Sequence, residues 1–407
     1  MRLFNDIERT DSSPGRYTEP TPAFLNRVDS DHFAAACELL EEWFEATPPD
    51  LQPDIRGRFW AKGQYSWHSP FWELYLAAAF RHLGFEIAYH PDVPDATFHP
   101  DFLLTRGSER LYVEAKVAGF SPAETASEMR LNVVLDAVNE LDSPDFFLHV
   151  QVERIGSTSA PVRKLLNGLR RWLSTLDWDA LSLESQRMTS LDQLARYTWR
   201  PEGLDWELHF QAVPKLKFRG RPGVHTIGGQ GHPAQFIDDR TPVRKAIGQK
   251  ATRYGAVGAP LVVALMCSRT FASETDVDDA LFGSEAVQVA FRDGRAGDAR
   301  LVRQLDGVWL GPRGPYNTRV SAILVAIHLH PSSIAQTQLR LWLNPWAQFP
   351  LDVALPWPRR VIDPASHQLV SADGEMPSHE ILGLPSDWPG PGDHFAKWHE
   401  ISRTPST

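Results

Sequence analysis

The stretch HPDFLLTRGSERLYVEAKV, residues 99–117, places Asp101, Glu114 and Lys116 within or beside two apolar runs. DFLLT and RLYVEAKV have the apolar and β-branched composition of strands, and the polar segment RGSE between them predicts a tight hairpin. The continuous run FLLT is typical of a strand that is buried on both faces. We therefore predict that these charged residues lie inside a sheet.

Glu114 and Lys116 are two positions apart, so along a strand their side chains point to the same face. Of the eight lysines, Lys116 alone has an acidic residue two positions before it, whereas the dipeptide Pro-Asp occurs six times and indicates nothing alone. A hairpin can bring Asp101 close to both. Two carboxylates at one point repel each other unless a cation lies between them, and such oxygen ligands suit Mg²⁺, for which Mn²⁺ can substitute.

The predicted metal ligands are Asp101 and Glu114, with the carbonyl of Ala115 as a further ligand. Lys116 would orient a hydroxide nucleophile or neutralise charge in the transition state. The alternative is an edge hairpin in which Asp101 caps a turn and a Glu–Lys pair faces solvent. The apolar flanks favour the first interpretation, because burying these groups without partners is costly.

This stretch resembles the PD-(D/E)XK, or restriction-endonuclease-like, nucleases, with Pro100–Asp101 and Glu114–Ala115–Lys116 as the signature. The order of predicted elements over residues 69–154 is similar too: a helix with an acid, three strands, a helix and a strand. In that superfamily the first helix often carries a glutamate near the metal, and Glu73 is the matching residue. An acid early in a helix is also favoured by the helix dipole alone. The resemblance implies metal-dependent phosphodiester hydrolysis and leaves the substrate open.

Periodicity and punctuation predict helices at residues 31–46, at 69–83 with Ser69 as the N-cap, at 123–141 and at 240–254. Strands are predicted at 145–155, 204–214 and 259–267, with a Gly-rich loop at 218–233. Its GGQG lacks the lysine of a phosphate-binding loop. The predicted fold class is mixed α/β, a central sheet flanked by helices, with a β-rich C-terminal extension. The predicted organisation is a flexible arm at 1–30, a nuclease-like core at 31–267 with an insertion at about 156–239, the extension at 268–354, and a Pro/Trp-rich tail at 355–407.

The net charge of −10 argues against a protein that coats nucleic acid non-specifically. Three segments nevertheless carry positive charge and no acid: residues 163–172 with four positive charges, 215–221 with four and 240–254 with five. Each alone is typical of a solvated face, and together they favour a phosphate-binding groove. The candidates for backbone contact, not all on one helix face, are Arg244, Lys245, Gln249, Lys250 and Arg253.

Cys37 and Cys267 lie in apolar stretches and are expected to be buried free thiols of a cytoplasmic protein. No apolar run is long enough to span a membrane, and the N-terminus lacks a signal-peptide pattern. We therefore predict a Mg²⁺-dependent nuclease acting on nucleic acid, with DNA as the favoured substrate; a homodimer is compatible with the sequence. Two alternatives stay open: the same fold binding nucleic acid or a partner protein without cutting, and an interaction protein dominated by its acidic surface.

Overall fold

The computed structural model describes residues 1–93, 99–188, 190–221, 224–231, 240–251, 258–268, 273–292, 295–363 and 368–390. The helices are α1 (Thr21–Arg27), α2 (Asp31–Glu45), α3 (Gln52–Phe59), α4 (His68–His82), α5 (Pro122–Asn139), α6 (Val162–Leu173), α7 (Trp178–Ser185), α8 (Arg240–Ala251), α9 (Glu274–Phe282) and α10 (Ser378–Ile381). The strands are β1 (Glu86–Tyr89), β2 (Phe102–Arg106), β3 (Glu109–Ala118), β4 (Phe146–Arg154), β5 (Arg196–Trp199), β6 (Glu207–Pro214), β7 (Ile227–Gly231), β8 (Leu261–Cys267), β9 (Glu285–Arg292), β10 (Arg295–Arg303), β11 (Leu310–Gly311), β12 (Gly314–Pro315), β13 (Ala322–Ile327), β14 (Arg340–Leu343), β15 (Arg359–Ile362) and β16 (Leu369–Ala372).

The chain divides into two compact units. Unit 1 comprises Met1–Ser13, Pro20–Gly119 and Asp238–Thr407, and unit 2 comprises Pro14–Glu19 and Phe120–Ile237. The segment that interrupts unit 1 thus begins at Phe120, earlier than the expected residue 156. The reason is that β4 pairs with β6 and β7 of unit 2 and with no described strand of unit 1.

Unit 1 is built on an eight-stranded sheet with the order β1-β2-β3-β8-β13-β14-β15-β16. The strands β1, β2 and β3 are antiparallel, and β3, β8 and β13 run parallel. β14 is antiparallel to β13 and parallel to β15, and β16 closes the sheet as an antiparallel edge. The prediction of a mixed α/β fold with a central sheet flanked by helices is therefore confirmed.

The strands of this sheet alternate cleanly between two apolar layers. Val113, Val262 and Leu324 pack on one face with residues of α2 and α4. Tyr112, Val263 and Ile323 pack on the other face with residues of α8 and α9. Because both faces are covered, β8 is buried at every position, as its uninterrupted apolar sequence LVVALMC requires.

Helix α4 anchors one face through Trp72, whose indole nitrogen donates to the carbonyl of Ala264 on β8 at 2.9 Å. The helix begins at His68 with Trp67 as the N-cap, so the cap lies two residues earlier than predicted. Ser69 is therefore not the cap, and its hydroxyl donates to Glu73 at 3.1 Å instead. The helix stops before Gly84, whose φ of +80° is the left-handed conformation that glycine accommodates.

Two segments that the sequence predicted to lack regular structure are packed or paired in the described residues. Leu3 and Phe4 are buried, and their N–H groups donate to the Glu41 carboxylate at 2.9 and 2.8 Å, so residues 1–13 do not form the expected loose arm. In the Pro/Trp-rich tail, β15 and β16 extend the central sheet and Trp357 is buried. In the segment expected to be a β-rich extension, β9 and β10 form a hairpin, while β13 and β14 belong to the central sheet.

Unit 2 has its own four-stranded sheet with the order β5-β6-β4-β7 and its own apolar core. Helix α5 begins with a capping box in which Ser121 and Glu124 exchange hydrogen bonds. Part of the predicted Gly-rich loop is the strand β7, which pairs with β4. Close backbone approach explains the glycines there, since a Cβ on Gly228 would lie 2.9 Å from the Phe147 side chain.

Cys37 and Cys267 are both buried and neither forms a disulfide, as predicted. Burial raises the pKa of the Cys37 thiol to about 11, so this cysteine is a packed apolar group rather than a reactive one. Within the described part of the chain, no helix combines the length and the apolar character needed to cross a membrane.

Candidate active site

Asp101 lies where β1, β2 and β3 adjoin. Its carbonyl accepts the His90 N–H at 3.0 Å, which continues the β1–β2 pairing, and Phe102 pairs with Val113 across β2 and β3. Extending that register by one residue places Asp101 opposite Glu114. The Asp101 carboxylate oxygen Oδ2 accepts the backbone N–H of Ala115 at 2.7 Å. The predicted hairpin is confirmed, and it sets this carboxylate at the peptide between Glu114 and Lys116.

Glu114 and Lys116 occupy the sheet face that is covered by α8 and α9, because Tyr112 and Ala118, at alternate positions of β3, pack there. Glu114 is 1 % exposed and Lys116 is half-buried. The alternative of a Glu–Lys pair facing solvent is therefore wrong for Glu114. The parallel strand β8 covers this edge of β3, with Val263 beside Glu114 and Leu265 beside Lys116.

Glu73 is on α4, which covers the opposite face. Both of its carboxylate oxygens accept hydrogen bonds from Arg58 of α3, each at 2.7 Å. Hydrogen bonding to Glu73, reinforced by Asp54 at 2.8 Å, raises the pKa of the Arg58 guanidinium above its usual value. Glu73 and Asp101 line one cavity of about 20 Å³, together with Arg58 and His90. A volume of that size holds about one water molecule.

Helix α8 lies on the same face as Glu114 and Lys116 and packs through the buried Val243 and Ile247. Arg244 is held by an ion pair with Asp306 at 3.2 Å, and it also donates to the carbonyl of Asp279. Lys245 is exposed. The side chains of Gln249 and Lys250, and the whole of Arg253, lie outside the described residues.

The segment 215–221, in unit 2, does not present all of its cations to solvent. Lys215 is 2 % exposed; its Nζ donates to the carbonyl of Ser143 at 2.8 Å and lies 4.8 Å from the centroid of the Phe147 ring. Burial lowers the pKa of this lysine. Arg219 pairs with Asp145 at 2.8 Å. Lys215 and Arg219 therefore stabilise unit 2.

The donor set for a metal can be tested on these contacts. In the described ranges, His, Cys, Asp and Glu side chains form no group of three or more that could hold an ion. Asp101 and Glu114, opposite each other across one strand pair, are a set of two. That set fits Mg²⁺, which takes one or two protein carboxylates and completes its shell with waters and substrate phosphates. Glu73 fits less well, since Arg58 occupies both of its oxygens.

Two residues at this site carried no recognisable signal in the sequence. Arg58 precedes Glu73 by fifteen positions, and only the packing of α3 on α4 brings the two together. His90 adopts a left-handed conformation with φ of +46°, uncommon for a non-glycine residue, next to Asp101. Neither the ion pair nor this backbone conformation follows from local residue patterns.

Comparison of the chain with protein-family models gives no match. No curated protein matches it, and no solved structure does.

Proposed function

We propose that this chain is a Mg²⁺-dependent endonuclease that hydrolyses phosphodiester bonds of DNA, on a core similar to that of the PD-(D/E)XK nucleases. One observation carries the proposal: the Asp101 carboxylate accepts the N–H of Ala115, the residue between Glu114 and Lys116. The Asp101 carboxylate thus lies at the peptide between an acid and a lysine of β3, next to the buried apolar residues Leu111–Val113. Such a concentration of charge in a buried strand is costly, which favours a chemical role.

Asp101 and Glu114 would hold the metal, with the Ala115 carbonyl as a further oxygen donor. When bound, Mg²⁺ would polarise a phosphate oxygen and offset developing negative charge. Burial of Glu114 keeps its carboxylate away from bulk water, which strengthens its interaction with a cation. The hydrogen bond from Ala115 orients the Asp101 carboxylate toward the same point of β3.

Lys116 would act at the nucleophile. It shares a face with Glu114 and is half-buried, so its ammonium group can reach solvent while its methylenes pack. A compact ammonium can orient a water molecule through any of its three donors and place positive charge beside the pentavalent phosphorus.

The substrate class is supported by helix α8, which packs on the same face as Glu114 and Lys116 and has the exposed Lys245. A phosphodiester backbone is the polyanion that such a lysine would attract. Cys37 and Cys267 are buried thiols that form no disulfide, which agrees with a reducing compartment, and we propose the cytoplasm.

A second candidate is a module that binds nucleic acid through the same fold without cutting it. The pairing of Glu73 with Arg58 favours this candidate, because it leaves Asp101 and Glu114 without the helix-borne acid that the resemblance implied. The two candidates differ in one measurable respect: only the nuclease needs a divalent cation.

The test is cleavage of supercoiled plasmid, linear duplex and single-stranded DNA by the full chain, in Mg²⁺ or in EDTA. Asp101→Asn and Glu114→Gln should abolish Mg²⁺-dependent cleavage and weaken Mn²⁺ binding in calorimetry. Glu86→Gln, at an exposed position of the neighbouring strand β1, makes the same chemical change and should alter neither. Cleavage that persists in EDTA, or Mn²⁺ binding unchanged in both site variants, would show that the assignment is wrong.

A further inference from the structure

Helix α6 has its exposed residues on one side and its buried residues on the other. Its exposed side chains are Arg163, Lys164, Asn167, Arg170 and Arg171. At 100° per residue these five positions fall within about 120° of the helix circumference. We call this surface the α6 basic face.

The α6 basic face is held in a fixed orientation by the opposite side of the helix. Leu165 and Leu169 are fully buried in the core of unit 2. Trp172 stacks on Tyr197 of β5 with ring centroids 5.5 Å apart. Gly168 allows this approach, since a Cβ there would lie 2.2 Å from the Tyr197 hydroxyl. The helix cannot rotate without breaking these contacts, so its cations stay directed outward.

The cations of the α6 basic face have no acidic partner among the described residues. The ion pairs found within 4 Å in unit 2 involve other arginines, such as Arg16 with Glu140, Arg200 with Glu207 and Arg219 with Asp145. Unit 2 as a whole is close to neutral, with 14 Lys and Arg against 15 Asp and Glu. The four positive charges of α6 are therefore concentrated rather than matched.

We propose that the α6 basic face binds the phosphodiester backbone of duplex DNA, which makes unit 2 a docking module for the substrate. This inference rests on the proposed function for the choice of polyanion. Arg163 and Arg170 are separated along the helix by about 10 Å. Duplex DNA carries one negative charge per about 1.7 Å of its axis, so one such span meets several phosphates.

An anionic membrane is the rival partner for a basic amphipathic helix. Membrane binding by such a helix requires an apolar face that enters the lipid. In α6 that face is already occupied, because Leu165 and Leu169 are in the protein core. The charge of the α6 basic face therefore complements a polyanion that needs no apolar insertion.

The experiment compares two double variants of the full chain. Arg163→Gln with Arg170→Gln removes two charges from the α6 basic face. Arg187→Gln with Arg313→Gln removes two exposed arginines elsewhere and changes the net charge equally. Affinity for a labelled 30-base-pair duplex is measured in EDTA over a salt series, so that binding is recorded without cleavage.

The α6 variant should bind more weakly, and its log–log salt slope should fall by about 1.8, the amount for two lost phosphate contacts on a duplex. The control variant should keep the wild-type slope, and both should keep the wild-type melting temperature. An α6 variant with the wild-type slope would overturn the inference, as would loss of binding to phosphatidylserine vesicles with DNA binding intact.

Failure of this inference and failure of the proposed function are distinguishable. A chain that cleaves DNA in Mg²⁺ but shows no dependence on Arg163 and Arg170 keeps the nuclease function and loses the docking module. A chain that binds the duplex through α6 but never cleaves keeps the docking module and loses the nuclease function.

Discussion

The two faces of the central sheet differ in where their ionisable side chains lie and in how these side chains are paired. On the face covered by α2 and α4, Glu73 is matched by Arg58, and His68 is buried with a pKa lowered to about 4, so it is neutral at pH 7. On the face covered by α8 and α9, strand β3 itself contributes Glu114 and Lys116. The ionisable groups of the first face are either paired, as Glu73 is, or neutral, as His68 is. On the second face the charged residues Glu114 and Lys116 belong to a strand inside the sheet.

The difference favours the face of Glu114 and Lys116 as the place of a chemical role. A charge on a helix at the border of a core can be matched by a neighbouring helix at little cost. A charged side chain that points from a strand into the core needs a partner from the helices that cover that face. Without such a partner or a bound ligand, the buried charge lowers the free energy of unfolding.

The largest effect is expected at Lys116. Lys116→Met keeps the volume and apolar packing, so the fold and Mn²⁺ binding should persist while cleavage falls at least about 100-fold to 1000-fold, the range for one lost transition-state stabiliser. Lys116→Arg should not restore activity, because a planar guanidinium cannot replace a compact ammonium. The rates are measured on plasmid DNA in Mg²⁺. If Lys116→Arg cleaves at the wild-type rate, the catalytic role is lost.

Asp278 tests the structural charge on the same face. It is a buried carboxylate of α9 that accepts the Trp342 indole N–H at 2.7 Å and pairs with Arg360 at 2.8 Å. Asp278→Ala should lower the free energy of unfolding by about 3 kcal/mol, since the buried Trp342 indole N–H would lose its acceptor and Arg360 would lose the shorter of its ion pairs with Asp278 and Glu274. Urea unfolding measures this. The exposed Asp298→Asn should stay within about 0.5 kcal/mol, and a similarly small effect for Asp278→Ala would contradict the prediction.

The buried His68 and the partly buried His330 test the face covered by α2 and α4 through the pH dependence of stability. Burial lowers the pKa of His68 and of His330 to about 4, and both rings pack against Trp67. Unfolded histidine titrates near 6.5, so between pH 6.5 and 4 the unfolded chain binds more protons and stability falls as the pH is lowered.

From pH 7 to 4.5 each of these histidines should cost roughly 2 kcal/mol of unfolding free energy. Urea unfolding at the two pH values measures the loss. His68→Gln should reduce it by its own share, and His328→Asn, at an exposed position, should not. An unchanged pH dependence in His68→Gln would show that His68 does not titrate as its burial implies.

The smallest effect is expected for the matched pair. Glu73→Gln and Arg58→Gln should each cost about 1–2 kcal/mol, and the double variant less than their sum, because each single change leaves a charged partner behind. This loss of unfolding free energy is modest because Arg58 is 36 % exposed, so that solvent screens its interaction with Glu73. Cleavage should fall by less than about tenfold in Glu73→Gln. A loss as large as that of Lys116→Met would place Glu73 in the chemistry after all.

Part of this site could be predicted from residue order. The hairpin of β2 and β3 was predictable because its strands and its turn are adjacent in the chain, so its register brings Asp101 to Glu114. The pairing of β3 with β8 joins residues about 150 positions apart, and Phe120–Ile237 lies between them. No local pattern indicates that β4, the next strand along the chain after β3, belongs to another sheet.

The amino-acid sequence by itself determined the alternation along β3, the placement of Glu114 and Lys116 on one face, and the segregation of cations on α6, because these depend only on periods of 2 and 3.6 residues. Tertiary structure alone decided which of those charges are matched. Arg244 meets Asp306, Glu73 meets Arg58 and Lys215 meets the Ser143 carbonyl, while the cations of α6 meet no carboxylate in the described ranges. The physical reason is that electrostatic pairing acts between neighbours in space, and the distances that bring distant segments together are set by the packing of the whole core.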